Sequence, residues 1–164
     1  MLGRTYDDQI CSIARALEVL GERWTLLIVR DGLLGLRRFD DFRRSLGMAG
    51  NVLTDRLNRL VESGLLERVR YQDHPPRYEY HLTATGRDLT VPLIALMHWG
   101  DRHLTTTAGP PRLTRHRDCG GDLQATLTCT GCGEQVAPQH MDVLPGPALR
   151  RSTSREASRE ASRE

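Results

Sequence analysis

Two short clusters of metal-ligating residue types lie towards the carboxyl end of this 164-residue chain. His116 and Cys119 form the first and Cys129 and Cys132 the second; each pair encloses two residues and is followed by a glycine. A two-residue gap lets both side chains of a pair reach one ion, and three thiolates with one imidazole make a closed tetrahedral zinc site. The spacing therefore predicts a structural zinc ribbon, in which His140 is the alternative to His116 as fourth ligand.

A Cys129–Cys132 disulfide and a ribbon that has lost its metal are the other interpretations of this cluster. The chain shows no apolar signal segment, and its apolar runs are far shorter than the ~20 residues of a membrane span. We therefore expect a cytoplasmic protein without membrane contact, and cytoplasmic thiols are kept reduced, which favours zinc over the disulfide. A closed site leaves no position for water, and no other catalytic constellation is evident, so we expect no enzyme activity.

A second group of side chains has the types and spacing of a helix that reads DNA. From residue 51 to residue 61 the leucines recur at helical spacing, which predicts a helix packed on a core. Asparagine and arginine on the opposite face are the side chains that form paired hydrogen bonds with adenine and guanine edges in the major groove. The predicted core set is Leu53, Leu57 and Leu60, and the outward set is Asn51, Thr54, Asp55, Asn58 and Arg59.

The local charge supports the same interpretation. Residues 37–70 contain eight arginines and five acids, a local net charge of +3, whereas the whole chain carries +2. Because the total charge is so small, a histone-like polycation is excluded and an anionic partner must be met by a local patch. A solvated, charged helix is the alternative that the charges alone would favour.

Glycines divide the region around that helix into short helices. Gly21 and Gly35 are predicted to end two helices, Gly47 and Gly50 to break a third, and Gly64 to end the helix that carries the outward polar face. The last two of these four helices are joined by a short glycine-bearing turn, as in a helix-turn-helix.

A hairpin and a longer helix complete the predicted domain. Residues 65–71 and 77–82 alternate as strands around a turn that contains two prolines, and the next helix is capped by Thr83 and kinked at Pro92. A helix-turn-helix followed by a two-stranded hairpin is the outline of a winged helix-turn-helix, an α+β fold.

Arg77 follows the two prolines at the tip of the predicted wing. An arginine at such a tip is placed to contact backbone phosphate or the minor groove of DNA. An ion pair with Glu67 or Asp73 is the alternative role for this side chain.

Composition divides the chain into three parts. Residues 1–108 hold most of the apolar periodicity and form the winged-helix domain, and residues 109–144 form the zinc-ribbon-like appendage, with small strands at 123–128 and 134–137. Residues 145–164 end in a Ser-Arg-Glu-Ala repeat that has no large apolar side chain, so we expect a disordered tail.

Several separated motifs occur in an order that resembles the HxlR family of bacterial, MarR-like transcriptional regulators. They are Cys11 to Leu17, Leu20 to Asp31, Arg38-Phe39, Asn51 to Leu57, Gly64 to Leu66, Pro75 to Tyr80 and Trp99-Gly100. The resemblance covers residues 9 to about 104 and implies a homodimeric winged-helix protein whose first and last helices form the dimer interface. It also adds Arg38 to the DNA-binding candidates. Ala49-Gly50 departs from the longer helix cap of many members.

The sequence thus predicts a transcriptional regulator that binds double-stranded DNA as a homodimer on an inverted-repeat operator, with an unknown small-molecule effector as a further partner. Two alternatives stay open. One is a thiol-based redox regulator that senses through Cys11, and the other is a protein-interaction adaptor that docks a partner through the zinc ribbon.

Cys11 itself has two interpretations. The resemblance implies redox sensing, because some family members use a cysteine at this position, and the start of a helix favours a thiolate. Asp7 and Asp8 would disfavour that second negative charge, and the neighbouring Ile10, Ile13 and Ala14 suggest a small buried apolar residue instead.

Overall fold

The computed structural model of the protein describes residues 5–6, 9–104 and 107–149. The chain forms two compact units: one is Leu17–Ala125, and the other combines Met1–Ala16 with Thr126–Glu164. Of the tail predicted to be disordered, 145–164, the structure describes only residues 145–149, of which 147–149 are helical; the Ser-Arg-Glu-Ala repeat lies outside the described residues.

Four helices precede the hairpin in the part of the chain that the structure describes. They are α1 (Ser12–Leu20), α2 (Thr25–Leu33), α3 (Phe39–Leu46) and α4 (Gly50–Glu62). Gly47 and Gly64 follow the ends of α3 and α4 as predicted. Their φ angles of 62° and 71° are left-handed, and a residue with a side chain would be strained there. Gly50 was predicted to break α3, which is wrong. It is the first residue of α4, where a poor helix former costs little because its N–H has no helical partner.

The wing is an antiparallel pair, β1 (Leu66–Gln72) and β2 (Arg77–Leu82), with an irregularity between Arg70 and Gln72. Two contacts tie it to the start of α3: an isolated bridge between Arg38 and Glu79, and a 2.8 Å hydrogen bond from the Tyr80 N–H to the Arg37 carbonyl. The wing is thereby fixed beside the helix-turn-helix.

The predicted long helix after the wing is two helices, α5 (Ala84–Asp88) and α6 (Thr90–His103). Thr83 caps the first as predicted, since its Oγ1 accepts a 3.1 Å hydrogen bond from the Gly86 N–H. The helix is interrupted at Leu89, three residues before Pro92, which was predicted to kink one long helix in its first half. Proline disrupts the helical turn that precedes it, so the disruption lies where Pro92 predicts it, and it is a break between two helices instead of a kink.

The core lies between the helix-turn-helix and the base of the wing. Leu53, Leu57 and Leu60 of α4 are at most 1% exposed, which confirms their predicted core role. Other buried members are Ile28, Val29, Phe42, Met48, Leu65, Leu66, Tyr80 and Leu82. In contrast, no residue of α6 is buried.

The cysteine-bearing region contains loops instead of the predicted strands at 123–128 and 134–137. Pairing is limited to two isolated bridges, Arg115 with Asp122 and Thr128 with Gln135, and a single 3₁₀ turn covers Pro138–His140. Long ladders are not expected where few large apolar side chains are available to cover a sheet.

Candidate nucleic-acid interface

The polar face of α4 is built by the burial of the opposite face. Because the three leucines point into the core, Asn51, Thr54, Asn58 and Arg59 are all exposed. Thr54 is partly committed, since its hydroxyl donates a 2.9 Å hydrogen bond to the Gly50 carbonyl. Four predicted DNA-binding residues therefore share one exposed helix face with the residue types needed to read base edges.

Arg59 is exposed but not free. Its Nη1 lies 3.0 Å from Glu22 Oε1, and its Nε lies 3.1 Å from Asp55 Oδ2. Arg56 pairs with the same two acids. The Asp55–Arg59 pair has the i, i+4 spacing that a sequence reveals. Glu22 lies 37 residues from Arg59 along the chain, and no local signal could have found it.

Arg38, at the start of α3, is held against the wing. Its Nε donates to Glu79 Oε1 at 3.2 Å, and its guanidinium lies 4.8 Å from the ring centroid of Tyr71. The hydrogen bond between Arg38 and Glu79 raises the pKa of Arg38 and lowers the pKa of Glu79. The ion pair therefore stabilises the contact between α3 and the wing while Glu79 is ionised. This stabilisation is lost as the pH falls through the lowered pKa of Glu79.

Arg77 is exposed at the tip of the wing, and among the described residues it has no ion-pair partner. Neither of its two predicted alternative ion-pair partners, Glu67 and Asp73, pairs with it. Asp73 pairs with Arg70 at 3.1 Å, and Glu67 lies opposite His81 in the hairpin. Of the candidate arginines, Arg77 thus has the least committed side chain.

An open cleft of about 560 Å³ between α3 and the wing brings two of the predicted residues together. Its walls are formed by Arg38, Phe39, Asp40, Asp41, Arg44, Tyr71, Pro76, Arg77, Tyr78 and Tyr80. Arginines and tyrosines that line a cleft next to a helix-turn-helix are suited to contact a phosphate backbone.

The two cysteine-bearing segments form loops with the same internal hydrogen bonds. In the first, the Gly120 N–H donates to the His116 carbonyl at 2.8 Å, and Gly120 has φ 70°. In the second, the Gly133 N–H donates to the Cys129 carbonyl at 2.9 Å, and Gly133 has φ 77°. The glycine that follows each predicted ligand pair is therefore needed to turn the backbone.

Each loop also draws its two predicted ligands together. His116 Nδ1 lies 3.2 Å from Cys119 Sγ. Hydrogen bonds from the backbone of Cys132 and Gly131 lower the pKa of the Cys129 thiol, which favours the thiolate that a metal binds. All four cysteines are free thiols. No group of three or more His, Cys, Asp or Glu side chains that could hold a metal ion occurs in the described residues. The zinc site stays a prediction.

Cys11 precedes the first residue of α1, and its carbonyl accepts a 3.1 Å hydrogen bond from the Arg15 N–H. Its side chain is partly exposed, Ile10 and Ile13 are 44% and 70% exposed, and Ala14 is 5% exposed, so the apolar residues around Cys11 are only partly buried. Asp7 and Asp8, predicted to disfavour a thiolate, lie outside the described residues.

The model of the HxlR-like helix-turn-helix family matches residues 19–108, which include the whole helix-turn-helix, the wing and α6. The chain belongs to the HxlR family. Like its relatives it has a winged helix-turn-helix fold, and the family consists of transcriptional regulators.

One relative of this HxlR protein is the uncharacterized HTH-type transcriptional regulator Rv3095 of Mycobacterium tuberculosis, 46% identical over 139 residues, 85% of this chain and 88% of the relative. The crystal structure of PA1607, a candidate transcription factor, is also similar to this chain, with a TM-score of 0.77 at 34% sequence identity. The match covers 86% of this chain and 99% of the PA1607 chain. The alignment with Rv3095 covers 139 residues, which is more than the 108 residues of the predicted winged-helix domain. The similarity therefore extends into the cysteine-bearing segment.

A third relative is the redox regulator HypR in its reduced form, with a TM-score of 0.53 at 30% identity over 56% of this chain and 92% of its own. No helix in the described part of the HxlR chain has both the length and the apolar content of a membrane span.

Proposed function

We propose that this protein is a sequence-specific regulator that binds an inverted-repeat operator as a homodimer. The observation that carries this proposal is the exposed face of α4, where Asn51, Asn58 and Arg59 stand opposite a fully buried leucine face. These side chains are able to form paired hydrogen bonds with adenine and guanine in the major groove.

The homodimer is supported by α6. No residue of this helix is buried, and its apolar side chains Val91, Leu96 and Trp99 are 65%, 52% and 49% exposed. Large apolar side chains exposed on one helix mark a candidate interaction surface. A second copy of the same helix, related by a two-fold axis, would cover it and would set two recognition helices side by side.

Selection from a random duplex library with the full-length protein tests the operator. We expect an inverted repeat whose half-site centres lie about 34 Å apart, one turn of DNA. The selected duplex should bind much more tightly than a scrambled duplex of the same composition. Equal affinity for the two duplexes would contradict the proposed function.

Sedimentation tests the dimer. The wild type should sediment as a dimer, and Leu96→Asp should yield monomers that bind the selected duplex weakly. Leu34→Asp is the matched control, because Leu34 is similarly exposed, at 49%, but lies at the end of α2. A monomeric wild type, or equal effects of the two substitutions, would count against the interface.

Redox sensing is a second candidate function, favoured by the free and partly exposed thiol of Cys11 at the start of α1. HypR, whose structure is similar to this chain, is a redox regulator. In this function, oxidation of Cys11 would change the affinity of the dimer for its operator.

A further inference from the structure

Glu22 joins the loop before α2 to the recognition helix. One carboxylate oxygen, Oε1, lies 3.0 Å from Arg59 Nη1, and the other, Oε2, contacts Arg56 Nη2. Asp55 Oδ2 completes a four-membered network, 3.1 Å from Arg59 Nε and 3.0 Å from Arg56 Nη1. Each arginine thus has two carboxylate partners, one from its own helix and one from another part of the fold.

The network is firmer at one end than at the other. Arg56 is only 17% exposed, and Glu22 is 36% exposed, with its backbone carbonyl accepting a 3.0 Å hydrogen bond from the Thr25 N–H. Arg59 is 59% exposed at the outer end. A half-buried Arg56–Glu22 pair therefore forms a support to which the outward Arg59 is attached.

Two of the five N–H groups of the Arg59 guanidinium are engaged by these carboxylates, on Nη1 and Nε, and three remain. A guanine edge requires only two, for its O6 and N7 atoms. Arg59 can consequently read guanine without leaving Glu22. In contrast, an arginine that is released from its carboxylates can reach any backbone phosphate.

We propose that Glu22 is a specificity-determining residue that positions Arg59 for base contact and keeps it from phosphates. This inference rests on the proposed function, because it assigns a role within the recognition of an operator. The Glu22 carboxylate already restricts the conformations of the Arg59 side chain in the free protein. Less conformational entropy is then lost when Arg59 contacts a base, which favours the operator complex. It also competes with phosphates for the guanidinium, which disfavours binding to DNA of unrelated sequence.

The test compares Glu22→Gln with wild type on the selected duplex and on the scrambled duplex over a range of salt concentrations. We expect Glu22→Gln to bind the selected duplex about 3- to 10-fold more weakly, since Arg59 loses its orientation. Binding to the scrambled duplex should be as tight or tighter, and its salt slope should steepen by about 0.9 as Arg59 gains a phosphate contact.

Two further variants separate position from charge. Glu22→Asp keeps the charge but is too short to reach both arginines, so it should also lower the ratio of the two affinities. Glu62→Gln removes one negative charge from the same helix, and in the described part of the chain Glu62 has no ion pair, so this ratio should be unchanged. In an Arg59→Ala background, Glu22→Gln should have no further effect on the ratio.

Three results would overturn the inference: tighter binding of the selected duplex by Glu22→Gln, identical behaviour of Glu22→Gln and Glu62→Gln, or an undiminished effect of Glu22→Gln in the Arg59→Ala background. The first would mean that Glu22 competes with the operator for Arg59. A wild type that does not discriminate between the duplexes is a different result, since it contradicts the proposed function itself.

Discussion

Arg38 and Arg77 line the same cleft beside the wing, but their side chains differ in freedom. Arg38 is held by Glu79 and Tyr71, whereas Arg77 is exposed and has no ion-pair partner in the described residues. A free arginine at a wing tip gains most from a phosphate, and a held arginine gains most where its orientation matters.

Arg77→Ala should therefore weaken the binding of selected and scrambled duplexes by a similar factor. The salt slope should fall by about 0.9 for both duplexes, because one phosphate contact is lost. Titrations of labelled duplex at several salt concentrations measure both quantities. Arg112→Ala is the charge-matched control, because Arg112 is an exposed arginine outside the wing. This substitution should leave the salt slope unchanged. A normal slope in Arg77→Ala would show that the wing tip does not contact DNA.

Cys11 tests the second candidate function, redox sensing. If it is the receiving thiol, peroxide oxidises it to a sulfenic acid, which then condenses with a second thiol, and wild type loses its operator. Reductant should restore binding, and Cys11→Ser should bind the operator before and after peroxide. A gel-shift or fluorescence titration of both proteins is sufficient. Equal responses of wild type and variant would assign Cys11 a structural role.

At the scale of elements, α5 is packed closely on the base of the wing through Gly86. A Cβ at this position would lie 2.2 Å from the Leu65 carbonyl oxygen and 2.9 Å from Leu82 Cδ2. Backbone cannot move aside as a flexible side chain can. The glycine is therefore required for contact with the wing and not for a special backbone angle.

Gly86→Ala should lower the free energy of unfolding by about 1–3 kcal/mol or more, since it overpacks this junction. Urea unfolding followed by circular dichroism gives the value. Gly50→Ala is the control, because a Cβ at Gly50, the first residue of α4, meets only Phe39 Cζ at 3.8 Å, an ordinary contact, and alanine is the better helix former. Similar losses in the two variants would contradict close packing at Gly86.

Sequence periodicity predicted those elements that have a buried face and a strong end signal. The recognition helix was expected at 51–61 and spans Gly50–Glu62, and the second strand was expected and found at 77–82. A disruption near residue 88 was expected from Pro92, which removes the hydrogen bond to that carbonyl, but the pattern did not show that it would divide the helix in two. Local patterns also could not reveal Glu22, whose contact with Arg59 depends on how distant segments meet.

At the scale of the whole molecule, the two cysteine-bearing loops stay the predicted source of zinc binding. Freshly purified, tag-free protein should contain about one zinc per chain, and chelation should unfold residues 113–140 while sparing the winged helix. Cys129→Ser should lose the metal, and Cys11→Ser should retain it. Elemental analysis with circular dichroism measures these changes. Wild type without zinc would mean that the four residues do not form a metal site.

The exposed apolar face of α6 has a thermodynamic consequence for the intact protein. Where that face is covered by a second copy, association adds to the stability of the folded chain, and the stability of the native dimer depends on mass action. Each tenfold dilution would then remove about 1.4 kcal/mol per mole of dimer. Melting temperature should therefore rise with protein concentration, and dilution should release folded monomers that melt at a lower temperature.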